Sequence, residues 1–228
     1  GTNTIYGGSG NDLIYGSEDS EYDLLDGGSG NDTIYINAET SYVYGGDGDD
    51  TYRNISLSKR TTIYDTSGTD SIEILSVKDN TKLFFNVELN PEYFGDNSKH
   101  SIYFYDSNNA NAILTSIQGG SVPESNLLEI DNFFGNGRIE KITVNEDDKT
   151  YTIYAEDIEN IKTRVIDWLQ TNGFSSVEYA LANGTALQKA ELLALYEIVW
   201  IYYGTENADS IQGTSTAEII YGLGGNDT

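Results

Sequence analysis

Apolar side chains recur along the first third of the chain at intervals of nine or eleven residues, one per interval: Ile5, Ile14, Leu25, Ile34, Val43, Tyr52, Ile63 and Ile72. Between them the chain is dominated by Gly, Asp, Asn, Ser and Thr. An amphipathic helix needs apolar residues every three or four positions, so this spacing excludes one. A short strand entered from a glycine turn needs only a single inward side chain. Each unit therefore predicts a six-residue turn followed by a strand of about three residues, stacked as a solenoid on that apolar column. Ile211 and Ile220 resume the column near the other end.

The units are close copies. Residues 7–15 read GGSGNDLIY, residues 27–35 GGSGNDTIY and residues 45–53 GGDGDDTYR, with a looser DTSGTDSIE at 65–73. Degenerate units alternate with them: 16–26 and 54–64 each carry two extra residues, and 36–44 has Ser41 where Asp is expected. The pattern returns as GTENADSIQ from Gly204, GTSTAEIIY from Gly213 and GLGGNDT from Gly222, while residues 1–6 read as the last six positions of a repeat. A piece of a longer array is expected.

Residues 74–160 lose the period but keep alternating or apolar runs at 82–89, 101–106, 111–117, 139–144 and 151–154, separated by signals such as Asn90-Pro91 and Gly135-Asn136-Gly137. From about Ile161 the spacing turns helical through Val165, Ile166, Trp168 and Leu169, with a stop at Asn172-Gly173. A second helix over 176–183 stops at Gly184, and Thr185 caps a third from Ala186 to about Trp200. The reading is a mainly β chain in four parts: a parallel β-roll over 1–73, a β-rich insertion over 74–160, a small helical unit over 161–203, and the start of a second repeat block over 204–228.

Charge adds a constraint. The chain has 37 Asp and Glu against 12 Lys and Arg, a formal net charge of −25. Such a chain repels nucleic acid and anionic membrane, so neither is expected as a partner. Its 18 tyrosines argue for a packed protein rather than disorder, provided that cations offset the carboxylates. There is no Cys, which removes disulfides, thiolate metal sites and a cysteine nucleophile. No stretch approaches the ~18 apolar residues of a membrane span. Gly1 opens without the basic and apolar regions of a signal peptide, so an export address is expected elsewhere.

The repeats supply the candidate chemistry. Glycines allow left-handed turns that aim backbone carbonyls inward, and Asp adds a charged oxygen; Ca²⁺ takes about six to eight oxygens. The nonamers fit GGxGxDxUx, and over residues 1–73 and 204–228 the chain resembles the hemolysin-type (RTX) calcium-binding repeat family. The middle stretches GTDSIEI, LLEIDNFFGNGRIEKITV and KTYTIYAEDIENI are similar to the hemolysin-type calcium-binding related module, through their acidic apolar strand, Phe133-Phe134 and the following turn.

The resemblance implies a parallel β-roll with successive repeats on opposite sheets and each ion between a repeat and the next but one. The strong repeats then share one face. Family geometry takes carbonyls from positions two and four of one loop, carbonyls from positions one and three of the next but one, and the Asp of position six from both. Site one then uses Gly8, Gly10 and Asp12 with Gly27, Ser29 and Asp32; site two uses Gly28, Gly30 and Asp32 with Gly45, Asp47 and Asp50. A third joins Gly46, Gly48 and Asp50 to Asp65, Ser67 and Asp70, with Asp65 in place of a glycine. A terminal site joins Thr205, Asn207 and Asp209 to Gly222, Gly224 and Asp227. The opposite face lacks the carboxylate at Ser41 and Thr61 and is expected to be mostly free of metal.

Other residues read as ordinary surface. His100 is the sole histidine, Asp147-Asp148 and Glu156-Asp157 arise freely in so acidic a chain, and the helices around Trp168 and Trp200 carry few cations for a membrane anchor. Asn31-Asp32-Thr33, Asn54-Ile55-Ser56 and Asn183-Gly184-Thr185 fit the glycosylation pattern by chance. The position-nine tyrosines Tyr6, Tyr15, Tyr35, Tyr44, Tyr64 and Tyr221 fit strand propensity, with a glycan or protein partner as the alternative. No catalytic constellation stands out. What the resemblance implies is a calcium-folded, secreted, extracellular bacterial segment exported by type I secretion. An accessory region of a secreted enzyme and an adhesion module are the alternatives.

Overall fold

A computed structural model describes residues 1–75, 82–85, 101–106, 112–117, 127–133, 135–146, 149–198, 200–203, 208 and 218–221. The repeats form β1 (Thr2–Ser9), β2 (Leu13–Tyr15), β3 (Tyr22–Ser29), β4 (Thr33–Tyr35), β5 (Thr40–Asp47), β6 (Thr51–Ile55), β7 (Arg60–Tyr64) and β8 (Ser71–Ile74). Odd-numbered strands pair in parallel in one sheet and even-numbered strands in the other, so two repeats make one turn of a roll.

The register stacks the apolar column into two. Ile5, Leu25, Val43 and Ile63 align across the first sheet, and Ile14, Ile34, Tyr52 and Ile72 across the second. All but Ile5 are buried, and Ile5 packs against them. Each buried side chain of this kind stabilises the fold by on the order of 1.5–3 kcal/mol. The columns rather than the exposed tyrosines therefore hold the roll together.

The turns are shorter than the sequence suggests. β1, β3 and β5 are eight residues long, because the first three loop positions continue the ladder: Gly8 faces Gly28, Gly28 faces Gly46, and Ser9 and Asp47 flank Ser29.

The roll also runs past residue 73. After β9 (Lys82–Phe85), β10 (Ser101–Asp106) and β11 (Ala112–Ile117), β12 (Leu128–Ile130) pairs in parallel with β7, and β13 (Lys141–Glu146) with β8. Buried Ile130 and Ile142 thereby lengthen both columns. β14 (Lys149–Tyr154) closes a hairpin on β13.

Helix α1 (Ala155–Asn172) starts six residues before Ile161. Its buried stripe is Ala155, Ile158, Ile161 and Val165, and Glu156 and Asp157 interrupt the apolar run while favouring the positive N-terminal end of the helix. Gly173 ends it in a left-handed conformation, at φ 74°. α2 (Val177–Asn183) follows, then α3 (Ala186–Ala194), which begins with a capping box between Thr185 and Gln188. α3 stops well short of Trp200. The β-branched and aromatic run beyond it forms β15 (Glu197–Ile198) and β16 (Trp200–Tyr203), and β16 pairs in parallel with β17 (Glu218–Tyr221).

Candidate metal centre

The turns leading from the first sheet to the second, within residues 7–12, 27–32, 45–50 and 65–70, stack along one edge of the roll, so the strong repeats do share a face. Gly28 and Gly46 sit at φ 101° and 107°, where only glycine is at ease. A Cβ on either would run into the carbonyl oxygen of Gly8 or Gly28 in the preceding turn. Carbonyls of one turn therefore lie directly against the next.

The Asp at position six makes a ladder. Asp12 N–H donates to Asp32 Oδ1, Asp32 N–H to Asp50 Oδ1, and Asp50 N–H to Asp70 Oδ1, each at 2.8 Å. One oxygen of each acceptor is thus fixed by backbone. In Asp32 and Asp50 the other oxygen is not: their Oδ2, like that of Asp12, is buried with no hydrogen-bond donor. A buried carboxylate oxygen left without a partner is costly, so the row calls for a cation.

Backbone oxygens converge on those orphaned atoms. A Cβ on Gly7 would lie 2.6 Å from Gly27 O and 2.7 Å from Asp12 Oδ2. At Gly27 it would lie 2.7 Å from Gly45 O and closer still to Asp32 Oδ2. Two successive turns thus offer the same small cradle, bounded by a carboxylate oxygen and the position-one carbonyl of the following turn. Ser29 O and Asp47 O each already accept one N–H, from Gly10 and Gly30 at 2.8 Å, and keep a second lone pair. These hard, all-oxygen donors fit Ca²⁺. The structure brings together the residues of sites one and two: Gly8, Gly10 and Asp12 with Gly27, Ser29 and Asp32, and Gly28, Gly30 and Asp32 with Gly45, Asp47 and Asp50.

The third set is arranged differently. Asp65 is buried and brings its side-chain carboxylate against Asp50 and Asp70. Its Oδ1 accepts Thr66 N–H at 2.6 Å, and its Oδ2 accepts the hydroxyl of Tyr52. Gly46 O accepts the Thr66 hydroxyl at 3.2 Å. With no cation counted, burial pushes Asp50 up to about 7 and Asp70 up to about 8, against the opposing effect of backbone N–H donors. Burial raises Asp65 as well, and lifts the Tyr52 phenol well above its ordinary value.

The terminal set, Thr205, Asn207, Asp209, Gly222, Gly224 and Asp227, lies outside the described residues, as do His100 and Asp147-Asp148.

Sequence reasoning missed three contributions. Position five forms a second ladder running the other way: Asn31 N–H donates to Asn11 Oδ1 at 2.9 Å, Asp49 N–H to Asn31 Oδ1 at 3.0 Å, and Thr69 N–H to Asp49 Oδ1 at 2.9 Å. The recurrence of Asn11, Asn31 and Asp49 immediately before the position-six Asp was its signal. Tyr52 was read only as a core residue. Glu140, 70 residues beyond Asp70, accepts Asp70 N–H at 2.8 Å and continues the carboxylate ladder; with no local repeat around it, only the pairing of β13 with β8 reveals it.

Outside this edge, the tyrosines stack on one another: rings of Tyr15 and Tyr35 lie 4.6 Å apart, and those of Tyr44 and Tyr64 4.7 Å apart. Trp168 stacks on Phe174 within the helical unit, and Glu156 and Asp157 open α1. Among the described residues, no helix is long and apolar enough to cross a membrane.

A family model described as the RTX calcium-binding nonapeptide repeat matches the chain in four copies, over residues 1–34 and 202–228. No curated protein matches it.

Proposed function

We propose, from the premise that this chain carries RTX calcium-binding nonapeptide repeats, that it is a scaffold segment of a bacterial protein exported by type I secretion, folding when it meets extracellular Ca²⁺. The observation that carries this reading is the row of buried, donorless oxygens on Asp12, Asp32 and Asp50. Asp12, Asp32, Asp50 and the turn carbonyls beside them would hold the ions, which supply the positive charge that the edge lacks.

A net charge of −25 supports the same reading. Extracellular calcium modules bind at about 10⁻⁴–10⁻³ M, far above cytosolic free Ca²⁺. In the cytosol the carboxylates repel one another, and a loose chain suits export. Outside, ions that bind only the folded roll stabilise it. Since Asp32 and Asp50 each border two cradles, ordering one turn lowers the cost of ordering the next, and filling is cooperative.

The test is a calcium titration of the chelator-stripped chain at fixed ionic strength, followed by far-ultraviolet dichroism and hydrodynamic radius. Expected are compaction at millimolar Ca²⁺ and a Hill coefficient above one. A chain equally compact in chelator would remove the calcium-triggered reading.

A further inference from the structure

The third cradle departs from the first two at two coupled positions. Position one of its second turn is Asp65 where the others have Gly27 and Gly45, and position eight of its first repeat is Tyr52 where the others have Ile14 and Ile34. The consequence is an exchange of ligand type. In the first two cradles, the position-one carbonyl of the following turn lies 2.6 and 2.7 Å from the point a glycine Cβ would occupy; in the third, the three atoms nearest that point on Gly45 are the Tyr52 hydroxyl oxygen, Asp50 Oδ2 and, at 2.6 Å, Asp65 Oδ2.

A full negative charge thus stands where the other cradles present a carbonyl dipole among their nearest atoms, in a place built to hold it. Asp65 is 5% exposed and anchored by Thr66 N–H, Ser67 N–H and the Tyr52 hydroxyl. The Tyr52 donor uses one lone pair of Oδ2 and leaves another. Carboxylate oxygens of Asp50, Asp65 and Asp70 lie within 4.8 Å of one another, and Asp50, 1% exposed, brings its donorless Oδ2 to the same point beside Gly45.

We propose that Asp50, Asp65 and Asp70 form a cation site of a different class from the glycine cradles: the tightest of the row for Ca²⁺, and selective for a trivalent over a divalent cation. This rests on the calcium reading of the row. Sites one and two each draw on two position-six carboxylates, with Asp32 and Asp50 shared along the row, whereas the third adds Asp65 and so gathers the most negative charge, which a trivalent ion offsets better than a divalent one. Ligand charge count is also what tunes calcium affinity among oxygen sites. Anchoring by the two N–H groups and the phenol means that little side-chain freedom remains to be lost on binding.

The experiment titrates the full, metal-stripped chain with Tb³⁺, reading tyrosine-sensitised emission and the number of bound ions by native mass spectrometry, then displaces Tb³⁺ with Ca²⁺. The wild type should take up one ion in a separate tight step, about tenfold or more below the others in concentration. The double variant Asp65→Gly with Tyr52→Ile, which rebuilds the cradle of the other turns, should lose that step while still binding the remaining ions. Asp12→Asn, a change confined to site one, should keep it. Asp65→Asn, which preserves shape, should also lose it with unchanged dichroism in Ca²⁺, so misfolding of the double variant does not obscure the result. Equal affinities throughout the wild type, or a tight step that survives loss of Asp65, would overturn the proposal and leave the calcium reading standing. Absence of any binding by the wild type would overturn both.

Discussion

The two edges of the roll both carry polar loops and settle their carboxylates in opposite ways. On the glycine edge, Asp12, Asp32 and Asp50 each keep a buried oxygen without a donor. On the far edge, Asp23 is equally buried, yet its Oδ1 accepts from Asn3 Nδ2 at 2.9 Å and its Oδ2 from Ser17 N–H at 2.8 Å. Asn37 then donates to Gly16 O at 2.8 Å, Asn54 donates to Asn37 Oδ1 at 2.9 Å, and the Lys59 ammonium reaches Asn37 O at 2.7 Å. The lesson lies in the side-chain inventory. An amide carries donor and acceptor together, so stacked Asn residues satisfy one another; a carboxylate only accepts, so stacked Asp residues need a cation from outside. The end of the carboxylate ladder agrees: Glu140 has Arg138 beside it, Nε to Oε1 at 3.9 Å, a fixed cation belonging to the chain itself.

The sharpest way to break this comparison exchanges a single carboxylate on each edge. Asp32→Ala removes a group that borders two cradles, and should lower calcium affinity more than tenfold and bound calcium by up to two ions, judged by calorimetric titration. Asp23→Ala should keep the number of bound ions and move the calcium isotherm only as far as its cost to folding dictates. It strands the Ser17 N–H and takes one of two acceptors from the Asn3 amide, which keeps Ser20 Oγ, lowering thermal stability in saturating Ca²⁺ by about 1–3 kcal/mol. Equal calcium losses in the two variants would dissolve the distinction between the edges.

Acidity should separate the edges next. Burial sets Asp50 at about 7 and Asp70 at about 8 in the ion-free chain, whereas unfolded Asp titrates near ~3.9. The folded, ion-free roll therefore holds more protons than the unfolded chain. Its stability from these groups is full below the unfolded value and declines as pH climbs through the two raised ones. Calcium acts in the opposite sense, because binding needs the carboxylates ionised and expels their protons. Dichroism in chelator should thus show a roll better formed at about pH 5 than at about pH 8. Apparent calcium affinity should rise over the same interval, by up to about tenfold per pH unit for each proton released. A flat affinity from about pH 6 to about pH 8 would show that Asp50 and Asp70 lie outside the binding row.

How much of this was legible depends on how locally each feature is written. The apolar columns, the glycine turns and the position-six Asp all recur within nine residues, so a period finds them. The continuation of the roll through Leu128–Ile130 and Lys141–Glu146 does not, because more than 50 residues separate β8 from β12 and the repeat lapses between them. Glu140 is invisible for the same reason. Asp65 was visible, but reading it as a defective glycine missed that Tyr52, thirteen residues earlier, donates to its side chain. The start of α1 was hidden by Glu156 and Asp157, whose charges belong at a helix N-terminus but break an apolar pattern.

Backbone geometry gives a smaller effect than charge. Gly46→Ala should destabilise the calcium-loaded roll by about 1–3 kcal/mol through its positive φ, with more added as Cβ is pressed against Gly28 O. Urea unfolding in saturating Ca²⁺ measures it, and an unchanged midpoint would mean that the turns of residues 27–32 and 45–50 do not stack as described.

The smallest effect compares one amide from each edge. Asn31 is exposed, and its Oδ1 accepts the N–H of Asp49, itself exposed; water can replace that bond. Asn37 is half-buried and works in three directions, donating to Gly16 O while its Oδ1 accepts Asn54 Nδ2 and its backbone oxygen accepts Lys59 Nζ. Asn37→Ala removes the first two of these and leaves the Gly16 carbonyl and the Asn54 amide unpaired in a partly desolvated stack. A hydrogen bond contributes about 0.5–1.5 kcal/mol net, and a stranded partner costs about 1–3 kcal/mol. Asn37→Ala should therefore lower stability by about 1–3 kcal/mol and Asn31→Ala by about 0.5 kcal/mol or less. Calcium sharpens the contrast: a change on the far edge leaves the ligands and the number of bound ions untouched and moves calcium affinity only by its cost to folding, whereas Asn31 lies beside Asp32 in a cradle turn, and its loss should be felt mainly as a few-fold weaker calcium affinity. Thermal melts paired with calcium titrations of both variants decide it. If Asn37→Ala lowered the number of bound ions, or cost more calcium affinity than its loss of stability explains, while Asn31→Ala spared both, the two edges would be coupled through the core, and treating one as metal-dependent and the other as metal-free would no longer hold.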